Sequence, residues 1–305
     1  MSKTGIVFWV ISVGLLITAI AFAVTGVALG ATPEIPAEVR LGTSWSWNWS
    51  DNTNIDDLQL AASDEDVEGD SQRALYHDIT TLDIETGGIN TVIREWDGTG
   101  INVDKSNLSE DVRSRLSVDQ IGDNLSITTE NRLGINIGSN MWYETLIIQV
   151  PRGFEFEWVL LDTGAGRITV ERIVANLVEI TVGAGHIEVD VLEANALLID
   201  IGAGHGSISD FKADVVNMHV GAGQLDVTGT IEERADLDCG IGEITFNVHG
   251  SQEEFGHSIS VGIGEANFGN LSIAGLGRDS TGNQHLDKQI DINVGIGSVT
   301  VNFLN

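Results

Sequence analysis

From about residue 76 to the C-terminus the chain alternates apolar and polar residues, and a small glycine triplet interrupts the alternation at fixed intervals. Gly164-Ala165-Gly166 returns as Gly183-Ala184-Gly185, Gly202-Ala203-Gly204, Gly221-Ala222-Gly223 and Gly240-Ile241-Gly242, each 19 residues after the last. Before each triplet, the residues five, three and one positions back are apolar. They are Val178, Ile180 and Val182, then Leu197, Ile199 and Ile201, then Val216, Met218 and Val220, then Ala235, Leu237 and Cys239. After the triplet the alternation resumes, as in Ile168 and Val170, Ile187 and Val189, Leu225 and Val227, and Ile244 and Phe246. A period of two predicts half-buried strands. Each unit is therefore expected to be strand, glycine turn, strand and a short return. Two properties of glycine suit the turn: tolerance of positive φ, and room for neighbouring backbones to approach.

One such unit cannot bury its own apolar face. Stacking units about 4.8 Å apart pairs each strand with its copies above and below. The predicted fold is all-β, a parallel β-solenoid (β-helix) with rungs of about 19 residues. Roughly five inward apolar side chains per rung, at about 2 kcal/mol each before entropy is subtracted, are enough for an independent domain. The spacing is least regular at the end. Gly262-Ile263-Gly264 follows after 22 residues and Gly295-Ile296-Gly297 after 33. The insert holding Gly277, Arg278, Asp279, Ser280 and Gly282 reads as a surface loop. Ile290, Ile292, Val294, Val299 and Val301 read as the last rung, closing the chain.

The N-terminal quarter is different. Residues 1–4 form a short tail, expected in the cytoplasm. Residues 5–31 (GIVFWVISVGLLITAIAFAVTGVALGA) are uncharged and mostly apolar. As a helix they reach roughly 40 Å, enough to span a bilayer with tilt. A retained transmembrane anchor is the leading expectation. A cleaved signal ending near Ala28, Gly30 and Ala31 is the alternative. Lys3 before the run and Arg40 after it set the remainder outside the cell, on one or two charges only. Residues 32–75 form a tryptophan-containing acidic linker. Trp45, Trp47 and Trp49 alternate with Ser and Asn. They suit a membrane–water interface, a cap on the first rung or an aromatic face for sugars. Asp51 to Asp70 holds eight acidic residues and no basic one, which reads as solvated linker. It lacks the ordered oxygen spacing of a calcium loop. Residues 76–305 are the solenoid, expected as an ectodomain of a single-pass cell-membrane protein.

Several stretches resemble the bacterial and archaeal membrane-anchored "putative adhesin" β-strand-repeat family known as domain of unknown function 4097 (DUF4097). Leu146-Ile147-Ile148-Gln149-Val150-Pro151-Arg152-Gly153 is similar to that family's strand ending in Pro-basic-Gly. Leu161-Asp162-Thr163-Gly164-Ala165-Gly166-Arg167-Ile168-Thr169-Val170 is similar to its repeated unit, and residues 82–92 to its opening rung. The resemblance covers about residues 76 to 305. It implies a β-helical surface module, often beside a membrane anchor, with some members linked to envelope-stress signalling. It implies no catalytic residues.

Composition narrows the chemistry. Of 305 residues, 45 are acidic and 15 basic, giving a net charge of −30. Such a surface repels phosphate, so nucleic acid is excluded as a partner and anionic lipid headgroups are disfavoured. Cationic partners are favoured, and the expected partner is a protein or cell-envelope component. The single cysteine, Cys239, sits at an inward position and excludes a disulfide framework. Stacking places outward residues in columns. One reads Asp162, Thr181, Asp200, His219, Asp238, Ser260, Asn293, where Asp200, His219 and Asp238 form either a divalent-metal set or a charge-compensated ladder. Another reads Arg167, His186, His205, Gln224, Glu243, Glu265, with two histidines but no further recurring zinc ligand. No catalytic, cofactor-binding or metal residues are assigned, and only a divalent cation such as calcium is left open. Carboxylates are scattered rather than paired, and no Ser/His/Asp order or phosphate loop stands out, so no enzyme activity is expected. Sequons at Asn48, Asn107, Asn124 and Asn270 agree with exposure outside the membrane. The sequence leads to a non-catalytic interaction or envelope-sensing module, with an adhesin or self-assembling surface element as the alternative and a polysaccharide-active enzyme as a distant third.

Overall fold

In the computed structural model, residues 72–129 and 144–304 are described, and all lie in the second of the two units into which the chain divides, Ser63–Asn305. The expected membrane span at 5–31, the tryptophan stretch and the linker up to residue 71 lie outside the described residues. No helix among the described residues is long and apolar enough to cross a membrane.

The described chain is almost entirely strand. In order these are β1 Arg73–Tyr76, β2 Thr81–Thr86, β3 Asn90–Trp96, β4 Ile101–Asp104, β5 Leu116–Ile121, β6 Asn124–Thr129, β7 Thr145–Pro151, β8 Phe156–Thr163, β9 Arg167–Val182, β10 His186–Ile201, β11 His205–Val220, β12 Gln224–Cys239, β13 Glu243–His249, β14 Phe255–Val261, β15 Glu265–Phe268, β16 Leu271–Ala274, β17 Arg278–Thr281, β18 Lys288–Val294 and β19 Ser298–Leu304. One short helix, α1 Glu110–Arg113, follows β4, its start capped by the Ser109 side chain. All nineteen strands join one sheet.

Parallel pairing at a 19-residue offset carries the repeat. β9 pairs with β10 as Arg167 with His186, and β10 with β11 as His186 with His205. Nineteen extended residues span roughly 63 Å, yet the Gly202 N–H donates to Val182 O at 2.8 Å. Each strand must therefore close on itself, one coil per repeat. The bends are visible in the burial. Along β9 the inward residues are Ile168 and Val170, then Ile173 and Ala175, then Val178, Ile180 and Val182, all buried. The step of two becomes three at Glu171–Arg172 and Asn176–Leu177. On the next coil the ladder skips Asp190 and Asn195, the equivalents of Glu171 and Asn176. The expected short return is thus a third strand face, and a rung buries six or seven side chains rather than about five.

At the turns three backbone hydrogen bonds continue the ladder. In one copy Gly183 donates to Thr163 O (2.9 Å), Ala184 to Gly164 O (2.7 Å) and His186 to Gly166 O (2.9 Å), and later copies repeat this. A Cβ added at Gly185 or Gly204 would lie 2.4 Å from the carbonyl oxygen below it, and at Gly223 2.3 Å. None of the turn glycines has positive φ. Close approach alone requires glycine here. The positive-φ glycines, such as Gly122, Gly153, Gly269 and Gly277, all lie outside the stacked turns.

Both ends depart from sequence order. Gly295 donates to Cys239 O (2.8 Å) and Gly262 to Val294 O (2.7 Å). The rung of β18 and β19 is therefore sandwiched between that of β12 and β13 and that of β14 and β15. The last rung in sequence is the penultimate one in space, which corrects the expected order. The same inversion occurs at the other end, where β2 and β3 lie between β6 and β7 on one side and β8 and β9 on the other. Antiparallel strands close each end: β5 on β6, β4 on β7, β16 on β15 and β17 on β14. The Arg278–Ser280 insert, expected as a loop, is thus the capping strand β17. Its polar residues Arg278, Asp279 and Ser280 suit an edge that would otherwise invite further pairing. Buried Asp104 is held by Arg73 at 3.0 Å where β1 joins β4.

Gly204→Ala should lower stability by about 3 kcal/mol, because the carbonyl its Cβ meets is backbone and cannot swing away. Ala203→Ser, one residue earlier and exposed, should stay within about 0.5 kcal/mol. Denaturant unfolding of the two variants beside the parent checks both.

Candidate functional site

The outward columns exist as the spacing predicts, with their order altered by the inverted rungs. Glu85, Asp162, Thr181, Asp200, His219, Asp238, Asn293 and Ser260 stand on successive rungs. Asp200, His219 and Asp238 are consecutive. Asn293 Nδ2 donates to Asp238 Oδ1 at 2.8 Å, and Ser260 Oγ donates to Asp279 at 2.8 Å on the capping strand. Among the described residues no group of three or more His, Cys, Asp or Glu is arranged to hold a metal ion.

The second column reads Arg167, His186, His205, Gln224, Glu243, Ser298 and Glu265. The imidazoles of His186 and His205 stack with centroids 4.9 Å apart and planes 12° apart. Burial, the Arg167 guanidinium and then His205 push the His186 pKa down to about 4. Burial thus favours the neutral form of His186 in the stack. Arg167 reaches Glu188 at 3.8 Å.

Stacking also builds a cluster that the columns alone did not show. β2 lies against β8, with Glu85 beside Asp162 and Asp83 beside Leu160, and Glu179 follows one rung further on. Burial, then Glu85, Asp83 and Glu179, push the Asp162 pKa up to about 6. Burial likewise raises Asp83, partly offset by the Ser126 hydroxyl, which donates to it at 3.4 Å. The signal was in the sequence: Leu82 to Gly87 has the same alternation as Val159 to Gly164. Knowing that β2 stacks directly on β8 required the structure.

Most cations of the described surface serve as struts. Arg172 bonds Glu193 at 2.5 Å, one rung on. Arg234 grips Asp236 at 2.8 Å and Asp291 at 2.5 Å, neutralising two aspartates that the inverted rung places side by side. Lys288 bonds Ile231 O at 2.9 Å and Glu232 at 3.3 Å, with its ammonium over the Phe255 ring. Exposed pairs of this kind stabilise little individually. Their effect is to leave the outer surface dominated by carboxylate. Cys239 is buried between Val220 and Val294 in the core, and burial pushes its thiol pKa up.

A family model described as Toastrack DUF4097 matches residues 79–302. Among solved structures, a "putative lipid binding protein" from Parabacteroides distasonis is 17% identical, covering 78% of this chain and 98% of its own, with a TM-score of 0.47. A "putative adhesin" from Bacteroides fragilis is 12% identical, covering 75% of this chain and 95% of its own, with a TM-score of 0.40. Likenesses this loose carry no inference about ligands. No curated protein matches the chain.

Asp162 and His186 pull stability in opposite directions. Asp162, raised from 3.8 to about 6, contributes stability that is full below pH 3.8 and lost as pH rises through 6. His186, lowered from 6.5 to about 4, contributes stability that is full above pH 6.5 and lost as pH falls towards 4. Asp162→Asn should therefore raise stability at pH 7 by on the order of 1 kcal/mol, after allowance for solvent screening. It should also leave the His186 loss unopposed, so the variant's melting temperature should fall more steeply than the parent's between pH 6.5 and 4. Thermal unfolding across that range checks both.

Proposed function

We propose that this chain, which belongs to the Toastrack DUF4097 family, is a membrane-anchored surface protein whose stacked sheet is a non-catalytic interaction or envelope-sensing module. The observation that carries the reading is the ladder itself. It holds outward side chains in register over many rungs and so presents a long, repetitive, rigid surface of the kind that binds proteins or polymers. Residues 5–31 supply the anchor on this reading. The net charge of −30 favours cationic partners or a basic protein patch and keeps phosphate-rich polymers away.

The alternative, an adhesin or self-assembling element, is favoured by one feature, the row of exposed isoleucines at the turns. Light scattering of the full chain with and without calcium separates bridging by cations from association that needs none.

Intact cells treated with protease should lose the solenoid while the membrane fraction keeps an N-terminal fragment. Removal of residues 1–31 should release the rest from membranes. Recovery of the full chain as a soluble cytoplasmic protein would overturn the placement. Self-repulsion of a highly acidic surface is screened by salt. The melting temperature should therefore rise by several degrees between about 0.05 and 1 M NaCl.

A further inference from the structure

The middle residue of every Gly-x-Gly turn is exposed. In stacking order these residues are Ala165, Ala184, Ala203, Ala222, Ile241, Ile296 and Ile263. The first four are small. The last three are large, and they are 51%, 55% and 61% exposed. Leu276, 78% exposed, lies beside them, because Gly277 N donates to Gly262 O at 2.9 Å. Alanine serves the turn equally well on four rungs, so the fold does not require the isoleucines. The inverted rung sets their order: Ile296 lies between Ile241 and Ile263 because the β18–β19 rung is inserted there.

We propose that this turn ridge is a self-complementary interface for a second copy of the chain, related by a two-fold axis that crosses the ridge at Ala222. In an isologous interface, if residue i meets j, then j meets i. Reversal about Ala222 sets Ile241 against the partner's Ala203, Ile296 against the partner's Ala184 and Ile263 against the partner's Ala165. Every large side chain then faces a small one. A parallel arrangement would set isoleucine on isoleucine and leave the alanines apart.

Charge follows the same symmetry. The column beside the ridge carries the Arg167 guanidinium at one end and the Glu243 and Glu265 carboxylates towards the other. A two-fold axis perpendicular to the ridge and to its outward direction lays this column on its own copy, reversed. Arg167, which also reaches Glu188 on its own chain, then approaches the partner's Glu265. On the other flank Asp200 approaches the partner's Asp238, beside the two His219 rings. That like-charge pair, with the overall charge of −30 on each copy, makes the association stronger in high salt.

Six rung spacings make the ridge roughly 29 Å long. With one residue column on either side, the footprint is on the order of 400 Å² per copy, about half that of a standard interface. The contact is therefore weak, and covalent trapping reads it better than sedimentation.

The test uses the full chain in high salt, under mild oxidation, with Cys239 buried as the background control. Ala222→Cys alone should cross-link to a covalent dimer. Ala184→Cys should cross-link poorly to itself and readily to a differently tagged Ile296→Cys chain. Adding Ile296→Asp to Ala222→Cys should cut the dimer yield roughly tenfold, while circular dichroism and maleimide labelling show a folded chain with an accessible thiol. The proposal fails if folded, labelled Ala222→Cys stays monomeric. It fails equally if Ala184→Cys prefers itself, or if Ile296→Asp leaves the yield unchanged.

Discussion

Everything in this fold depends on how closely one turn sits on the next. The strands of neighbouring rungs hold the ordinary interstrand spacing, but at the corner the second glycine carries the chain over a carbonyl that leaves no room for a Cβ. The limit tightens along the stack, to 2.2 Å at Gly242 and 2.1 Å at Gly297. With that approach permitted, three or four backbone hydrogen bonds cross each turn, and the ladder continues around the corner without a break. Inward residues then fall into columns, and outward ones must do the same. The surface is as periodic as the core because both inherit the spacing of the turns.

The sequence carried the repeat, the strand content and the inward positions flanking each triplet, because a period of two and a period of 19 are local signals. It offered two reasons for glycine, of which the structure keeps close approach and drops positive φ. Positive φ and close approach leave the same residue in the sequence, and only the backbone tells them apart. The third face was missed because its inward residues, such as Ile173 and Ala175, follow Val170 after a step of three, which ends a search for strict alternation. The inverted rungs were missed for a deeper reason. Which coil lies on which is a matter of long-range pairing, and a 55-residue offset between β12 and β18 leaves no local trace. The capping strand β17 looked like a loop because it is short and polar, which is what an edge needs. Of the candidate surface, the columns were legible by residue. The Glu85–Asp162 contact and the place of Ile296 between Ile241 and Ile263 were not, since each joins rungs that are distant in sequence.

Charge and apolar surface are divided accordingly. Arginines and lysines are drawn into rung-to-rung pairs, and carboxylates crowd the outer columns. Exposed apolar side chains gather at the turn edge of one end. A protein this acidic gains solubility and loses compactness through self-repulsion, so the backbone ladder and the apolar side chains buried in every rung supply the opposing stability. Function on this account belongs to the edge and the columns, and the glycines serve them by setting the register.

The order of the rungs is the claim on which the surface rests, and engineered disulfides read it directly. Adjacent parallel strands bring Cα atoms within disulfide reach, whereas next-but-one strands, about 9.6 Å apart, do not. In a background with Cys239→Ala, Asp238→Cys with Asn293→Cys should form an intramolecular disulfide under mild oxidation. Asp238→Cys with Ser260→Cys should not. The opposite pattern would mean that the rungs stack in sequence order, with Ile263 rather than Ile296 next to Ile241 and the outward columns reordered to match.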